Sequence, residues 1–134
     1  MYANGHLYIC THTDDLSRRL EIFGKKSKKQ ERVIIVGGGN VGLRVAQTLE
    51  NQQHRLRAKV IEKNREVAEH AADLLERTVV LHGDGLDMNL LEEANLNNTD
   101  ALLAVTDDDK TNLLACARAK SAGCPMVVAL INDP

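Results

Sequence analysis

Tryptophan is absent from this 134-residue chain, and its three aromatic side chains, Tyr2, Tyr8 and Phe23, all precede residue 24. A core beyond residue 30 must therefore be built from Val, Ile, Leu and Ala, and that region has no stacking platform for single-stranded nucleic acid. Net charge is small as well, −2 at pH 7, so nothing draws the chain as a whole to nucleic acid or to an anionic membrane. Long apolar runs are missing. The longest, Met126 to Ile131, has six residues, against the roughly 20 of a membrane-spanning helix. Direct membrane insertion is not expected, and a membrane connection would come through another protein.

The cysteines, Cys10, Cys116 and Cys124, are odd in number and lack C-x-x-C spacing, so reduced thiols in a cytoplasm are expected in place of a disulfide framework. Cys116 sits among Ala115, Ala117 and Ala119 and reads as packing. The five histidines show no H-x-x-x-H or Cys/His ligand spacing. Asp107, Asp108 and Asp109 are consecutive, so their side chains diverge at a helix start and do not converge as in a calcium loop. No Ser/His/Asp, Cys/His or paired-carboxylate set assembles, and His82 stands alone at a strand end. Neither a catalytic residue nor a metal is expected.

Against these absences stands the run "RVIIVGGGNVG", Arg32 to Gly42, a β-branched strand followed by four glycines in six residues. From there strand-like and helix-like stretches alternate. After "RVIIV", Val41, Val45, Ala46 and Leu49 recur at helical spacing to about Asn51. "AKVIE" is a second strand and "NREVAEHAADLLE" a second helix capped by Asn64. "TVVLHG" is a third strand, "DMNLLEEA" a short helix, "ALLAV" a fourth strand. A helix from about Asp108 to Ala122 ends at Gly123 and Pro125, and "MVVALI" is the fifth strand. Such alternation predicts a Rossmann-like, doubly wound parallel sheet covered on both faces, with strand order 3-2-1-4-5.

The first thirty residues are expected to differ. "HLYIC" has strand-forming residues, and "DDLSRRLEIFG" reads as a helix with Leu16 and Leu20 on one face and Gly24 as its stop. This β-α unit has no evident partner in residues 32–134. Residues 1–24 are therefore expected to be the tail of an upstream domain, residues 25–31, "KKSKKQE", a solvated linker, and residues 32–134 the nucleotide-binding domain.

Gly37, Gly39 and Gly42 fit G-x-G-x-x-G between a strand and a helix, where each glycine has its own task. Gly37 permits a tight turn, Gly39 lets backbone approach a pyrophosphate, and Gly42 lets the helix pack close to the strand. With Gly38 they form a phosphate turn, at which the N–H groups of Asn40 and Val41 would face the phosphates with the helix dipole behind them. Glu62, twenty residues after Gly42 at the second strand's end, is placed to accept from both adenosine ribose hydroxyls and to repel a 2′-phosphate. That favours NAD over NADP, although Lys63 and Arg65 lie close by.

Gly83, Asp84 and Gly85 follow the third strand, where they either flank an adenine or form a glycine turn with a helix cap. Val105 and Thr106 follow the fourth strand on the nicotinamide side, beside Asp107 and Asp108, which read first as helix caps. Ala115 and Ala119 suit either a close helix contact with a second subunit or packing on their own sheet.

Two further stretches, G-D-x-x-D-x-x-L-L-x-E-A from Gly83 and D-A-x-x-A-V-T-x-D-D from Asp100, are more specific than the glycines. With "RVIIVGGGNVGLRVAQTLE" they resemble the RCK, or KTN, domain family, and within it the second nucleotide-binding half of regulatory subunits of bacterial Trk potassium uptake systems. "GHLYICTHTDDLSRRLEIFG" is similar to the last strand and helix of the ligand-sensing subdomain that precedes such a half. The resemblance implies a non-enzymatic domain that binds NAD or NADH, alternatively ATP or ADP. It further implies a homo-oligomer that acts on a Trk-type potassium channel or transporter subunit from the cytoplasmic face of the plasma membrane. A sixth strand and helix common in the family would lie beyond Pro134 or be absent. From the residues alone, the cofactor half of an NAD-dependent oxidoreductase and a sensor of free adenine nucleotides stand as alternatives.

Overall fold

Five hydrophobic strands and the helices between them alternate along residues 31–130. The structure is a computed structural model, and it describes residues 6–16, 18–19, 31–52 and 56–132. In chain order the strands are β1 (His6–Cys10), β2 (Glu31–Val36), β3 (Leu56–Glu62), β4 (Val79–His82), β5 (Ala101–Ala104) and β6 (Met126–Leu130). From Asn40 onward the helices are α1 (Asn40–Gln52), α2 (Arg65–Leu74), α3 (Met88–Glu93) and α4 (Asp109–Ser121).

All pairings are parallel, and the order across the sheet is β1-β6-β5-β2-β3-β4. The five strands from β2 onward take the expected order. The expectation that His6–Cys10 has no partner is corrected, because β1 pairs with β6 in register from His6 opposite Met126 to Cys10 opposite Leu130. Bare N–H and C=O groups along the β6 edge are satisfied this way, and the Ile131 N–H donates to the Cys10 carbonyl at 2.8 Å. Glu31, expected in the linker, is the first residue of β2. Leu20, Gly24 and residues 25–30 lie outside the described residues.

Two apolar layers hold the sheet. Val45, Ala46 and Leu49 of α1, with Ala71 and Leu75, cover Val33, Ile35, Val60 and Leu103 on one face. Leu91, Ala94 and Leu96, with Ala115, Cys116 and Ala119 of α4, cover Ile34, Val36, Ile61 and Leu102 on the other. Each fully buried Ile or Leu contributes roughly 1.5–3 kcal/mol. Ala115 and Ala119 therefore pack on their own sheet and present no surface to a second subunit. Burial pushes the Cys116 thiol up to about 12 and the Cys124 thiol to about 11, so neither forms a thiolate at neutral pH.

Side-chain caps start α2, α3 and α4, Asn64 and Asp108 where the sequence places them and Asp87 in place of the expected Asp84 turn. Asn64 caps α2 by accepting from Val67 N–H, Asp87 caps α3, and Asp108 caps α4. At the opposite end of the sheet Glu50 clasps the α2–β4 turn. Its carboxylate accepts from the N–H groups of Glu76, Arg77 and Thr78 and from the Thr78 hydroxyl. The Arg77 guanidinium donates to the Glu50 carbonyl.

Partial burial works against the Glu50 charge, but the hydrogen bonds from Thr78, Arg77 and Glu76 outweigh it and hold the carboxyl below its ordinary 4.5. A lowered folded-state value means stability that is present above the ordinary value and lost as pH falls through the folded one. Glu50→Ala should cost about 1–3 kcal/mol at neutral pH by urea denaturation, and the deficit should shrink in acid below the ordinary carboxyl range. A pH-independent deficit would contradict the clasp.

Candidate functional site

Parallel strands deliver all their following loops to one edge, and the chain reverses direction between β2 and β5. Five of these loops surround a cleft of about 540 Å³. Of the expected residues it brings together Gly37, Gly39, Asn40, Val41, Glu62, Lys63, Asp84, Gly85, Val105 and Thr106. Gly38, Gly42 and Gly83 do not line it.

The glycines divide by task. Gly37 has φ +110°, lies against the backbone of Val105 and Thr106, and donates its N–H to the Ile61 carbonyl at 2.8 Å. Gly42 is buried, and a Cβ there would collide with the Gly37 carbonyl oxygen. Gly39 is exposed, and a Cβ there would meet nothing within 4 Å. Gly37 and Gly42 are thus required by the fold, while Gly39 borders open space in the cleft. Asn40 and Val41, in the first turn of α1, line that space, and first-turn N–H groups have no partner within a helix.

Glu62 is fixed from both sides. Oε1 accepts from Gly38 N–H at 2.7 Å, and Oε2 from Asn64 N–H at 2.8 Å. An ionised carboxylate has about four acceptor positions, so two remain for hydroxyls in the cleft. Gly83 supports the strand end from behind by donating to the Glu62 carbonyl at 2.9 Å. Asp84 spends Oδ1 on Leu86 N–H at 2.9 Å, a turn contact, and the cap of α3 falls to Asp87. His82 Nε2 pairs with the Lys63 carbonyl at 3.0 Å. Arg65 lies within 3.7 Å of the exposed Glu69 carboxylate and is not among the residues lining the cleft.

On the other side of the glycine turn, Asp108 accepts from the Lys110 N–H and the Thr111 hydroxyl, and the Thr111 bond holds its carboxyl below the ordinary range. Thr106 is hydrogen-bonded to the side chains of Asn112 and Asn132. The lining carboxylates, Glu62, Asp84, Asp107 and Asp108, face Lys63 as the one lining cation among the described residues. Anionic charge must be met mainly by backbone N–H groups and the α1 dipole.

Sequence reasoning missed Leu86, Val67, Thr111 and Asn132 in the lining and Asn112 behind it. Asn64 was read only as a cap. Asn132 lies 26 residues from Thr106, and no local spacing announces their contact.

Residues 33–134 match the TrkA-N domain. The chain belongs to the TrkA-N domain family. Similar curated proteins are each named Trk system potassium uptake protein TrkA. That of Azorhizobium caulinodans is 44% identical over 94% of this chain, and that of Halomonas elongata 43% over 98%. The Vibrio alginolyticus protein is 39% identical over 97%. In each case the chain spans 28% of the relative's length. Within this TrkA-N domain, no helix among the described residues is long and apolar enough to cross a membrane. A second cleft, of about 530 Å³, opens at the amino ends of the strands near Arg32, Arg57, Thr99 and Glu50, and contains none of the expected site residues.

The two kinds of glycine separate by experiment. Gly42→Ala should destabilise by about 1–3 kcal/mol or more through overpacking, whereas Gly39→Ala should leave the unfolding free energy from urea denaturation within about 1 kcal/mol of wild type. Equal destabilisation would show that Gly39 also serves the fold.

Proposed function

We propose that the cleft binds NAD or NADH across the switch point. The adenosine ribose lies on Glu62, the adenine beside Asp84 and Gly85, and the pyrophosphate at Gly37 to Val41. The nicotinamide half lies toward Val105 and Thr106. The observation that carries this reading is the single cleft in which the Glu62 carboxylate, the open space at Gly39 and Thr106 stand on consecutive loops around the α1 N-terminus. The acidic lining argues further for a ligand with two phosphates over a triphosphate, since each added negative charge meets four carboxylates and one lysine.

The domain reads its ligand without converting it. Three of the four lining carboxylates are already held: Glu62 by Gly38 and Asn64, Asp84 by Leu86, Asp108 by Lys110 and Thr111. This favours a regulator over the cofactor half of an oxidoreductase. The names of the relatives support a place in Trk-type potassium uptake, with the domain acting from the cytoplasm on a membrane transport subunit. Occupancy would act by binding two arrangements of neighbouring copies with different affinity. Residues 1–24 would then belong in function to the preceding ligand-sensing unit.

Calorimetry with NAD, NADH, NADP, ADP and ATP tests the ligand. NAD should bind more tightly than NADP, and Glu62→Ala should weaken NAD binding by about 1–3 kcal/mol while narrowing the gap to NADP. Unchanged NAD affinity in Glu62→Ala would remove the ribose role. Preference for ATP would replace the dinucleotide by a mononucleotide.

A further inference from the structure

At the far end of the cleft Thr106 is held by a residue that does not line it. Asn112 is 0% exposed beneath the β5–α4 connection, and its amide makes four hydrogen bonds. Oδ1 accepts from the Thr106 N–H at 3.0 Å and the Thr106 hydroxyl at 2.6 Å. Nδ2 donates to the Thr106 carbonyl at 3.0 Å and to the Leu130 carbonyl at 2.7 Å. A primary amide has two lone pairs and two N–H hydrogens, so the whole complement is used, three parts of it on Thr106. Asp has no donor to offer the two carbonyls, and Ser has one hydrogen for them.

This arrangement decides what Thr106 offers a ligand. Its hydroxyl hydrogen is directed inward, with Asn112 Oδ1 at 2.6 Å and the Asp108 carbonyl at 3.1 Å as its acceptors, and the same oxygen accepts from the Asp108 N–H at 3.1 Å, which leaves one lone pair. Asn132, which lines the cleft, is committed in the same sense. Its Nδ2 donates to the Thr106 carbonyl at 3.0 Å and to Asp109 Oδ1 at 3.1 Å, and its N–H donates to Asp109 Oδ1 at 2.7 Å. Both side chains have spent their donors inward and keep acceptors.

We infer that Asn112 is the positioning residue of the far subsite: by fixing Thr106 and tying it to the end of β6, it makes Thr106 and Asn132 an acceptor pair that selects a neutral hydrogen-bond donor, such as a carboxamide, and rejects a carboxylate. The inference rests on the dinucleotide reading above and deepens it. The hydrogen bonds of Asn112 go to Thr106 and Leu130 and none reaches Glu62, Asp84 or Gly85, so its effect is expected on ligands that extend past the pyrophosphate. Asp107 and Asp108, also in the lining, add repulsion against a carboxylate.

The test uses three probes on the intact 134-residue chain: NAD, its nicotinic acid analogue with a carboxylate in place of the carboxamide, and AMP. Wild type should bind NAD about tenfold or more tightly than the acid analogue. Thr106→Val, close in shape to the original, and Asn112→Ser should both bring that ratio toward one, with AMP affinity kept within about twofold. Asn132→Ala, at an exposed position, serves where a buried substitution prevents folding and should narrow the ratio likewise. Wild type binding both dinucleotides equally, yet more tightly than AMP, would overturn the inference alone, as would folded variants that lose NAD and AMP in parallel. NAD binding no tighter than AMP would overturn the dinucleotide reading and the inference with it.

Discussion

Helix α1 starts so close behind β2 that no Cβ fits between Gly42 and the Gly37 carbonyl, and the site is arranged around that approach. It places Asn40 and Val41, in the first turn of α1, in the cleft lining, and Gly37 lies against the backbone of Val105 and Thr106. Gly38 is carried by the same turn against Glu62, whose carboxylate then receives the Gly38 N–H. A side chain at Gly42 would separate helix from strand, and the loops on either side would lose their common support.

Both ends of the cleft are built by the same device, a polar side chain holding the backbone of a neighbouring loop. Glu62 ties the glycine turn to the β3–α2 connection, while Asn112 ties the β5–α4 connection to the end of β6. The carboxylate keeps free acceptor positions. The amide keeps none, and passes its orientation to Thr106. A reader of nucleotides needs such fixed contacts, because a ligand shifts an equilibrium only by the difference in its affinity for two arrangements. Among the cleft's acidic groups, Glu62, Asp84 and Asp108 accept from N–H and hydroxyl groups of the loops around them.

Much of the fold was legible because each element has one dominant signal. Val33 to Val36 and Val127 to Leu130 are buried almost without interruption, as strands covered on both faces must be, and Val45, Ala46 and Leu49 keep helical spacing. Right-handed crossovers then left one sensible order for five strands. The seat of β1 was not legible, because edge pairing uses backbone groups common to all residues and a partner more than a hundred positions away. In the site, Gly37, Gly39 and Glu62 were readable from local spacing, with strand, turn and helix as context. Asn112 and Asn132 were not. A polar residue in a helix ordinarily reads as exposed, and only the folded chain brings Asn112 beneath Thr106.

Amide chemical shifts followed during titration with NAD would show where the ligand lies. Perturbations are expected at Gly39, Asn40, Val41, Glu62, Thr106 and Asn132, on both sides of the switch point, with Arg57 and Thr99 in the opposite cleft unmoved. Shifts confined to the Arg57 and Thr99 end, or to the Glu62 side alone, would contradict a dinucleotide lying across the glycine turn.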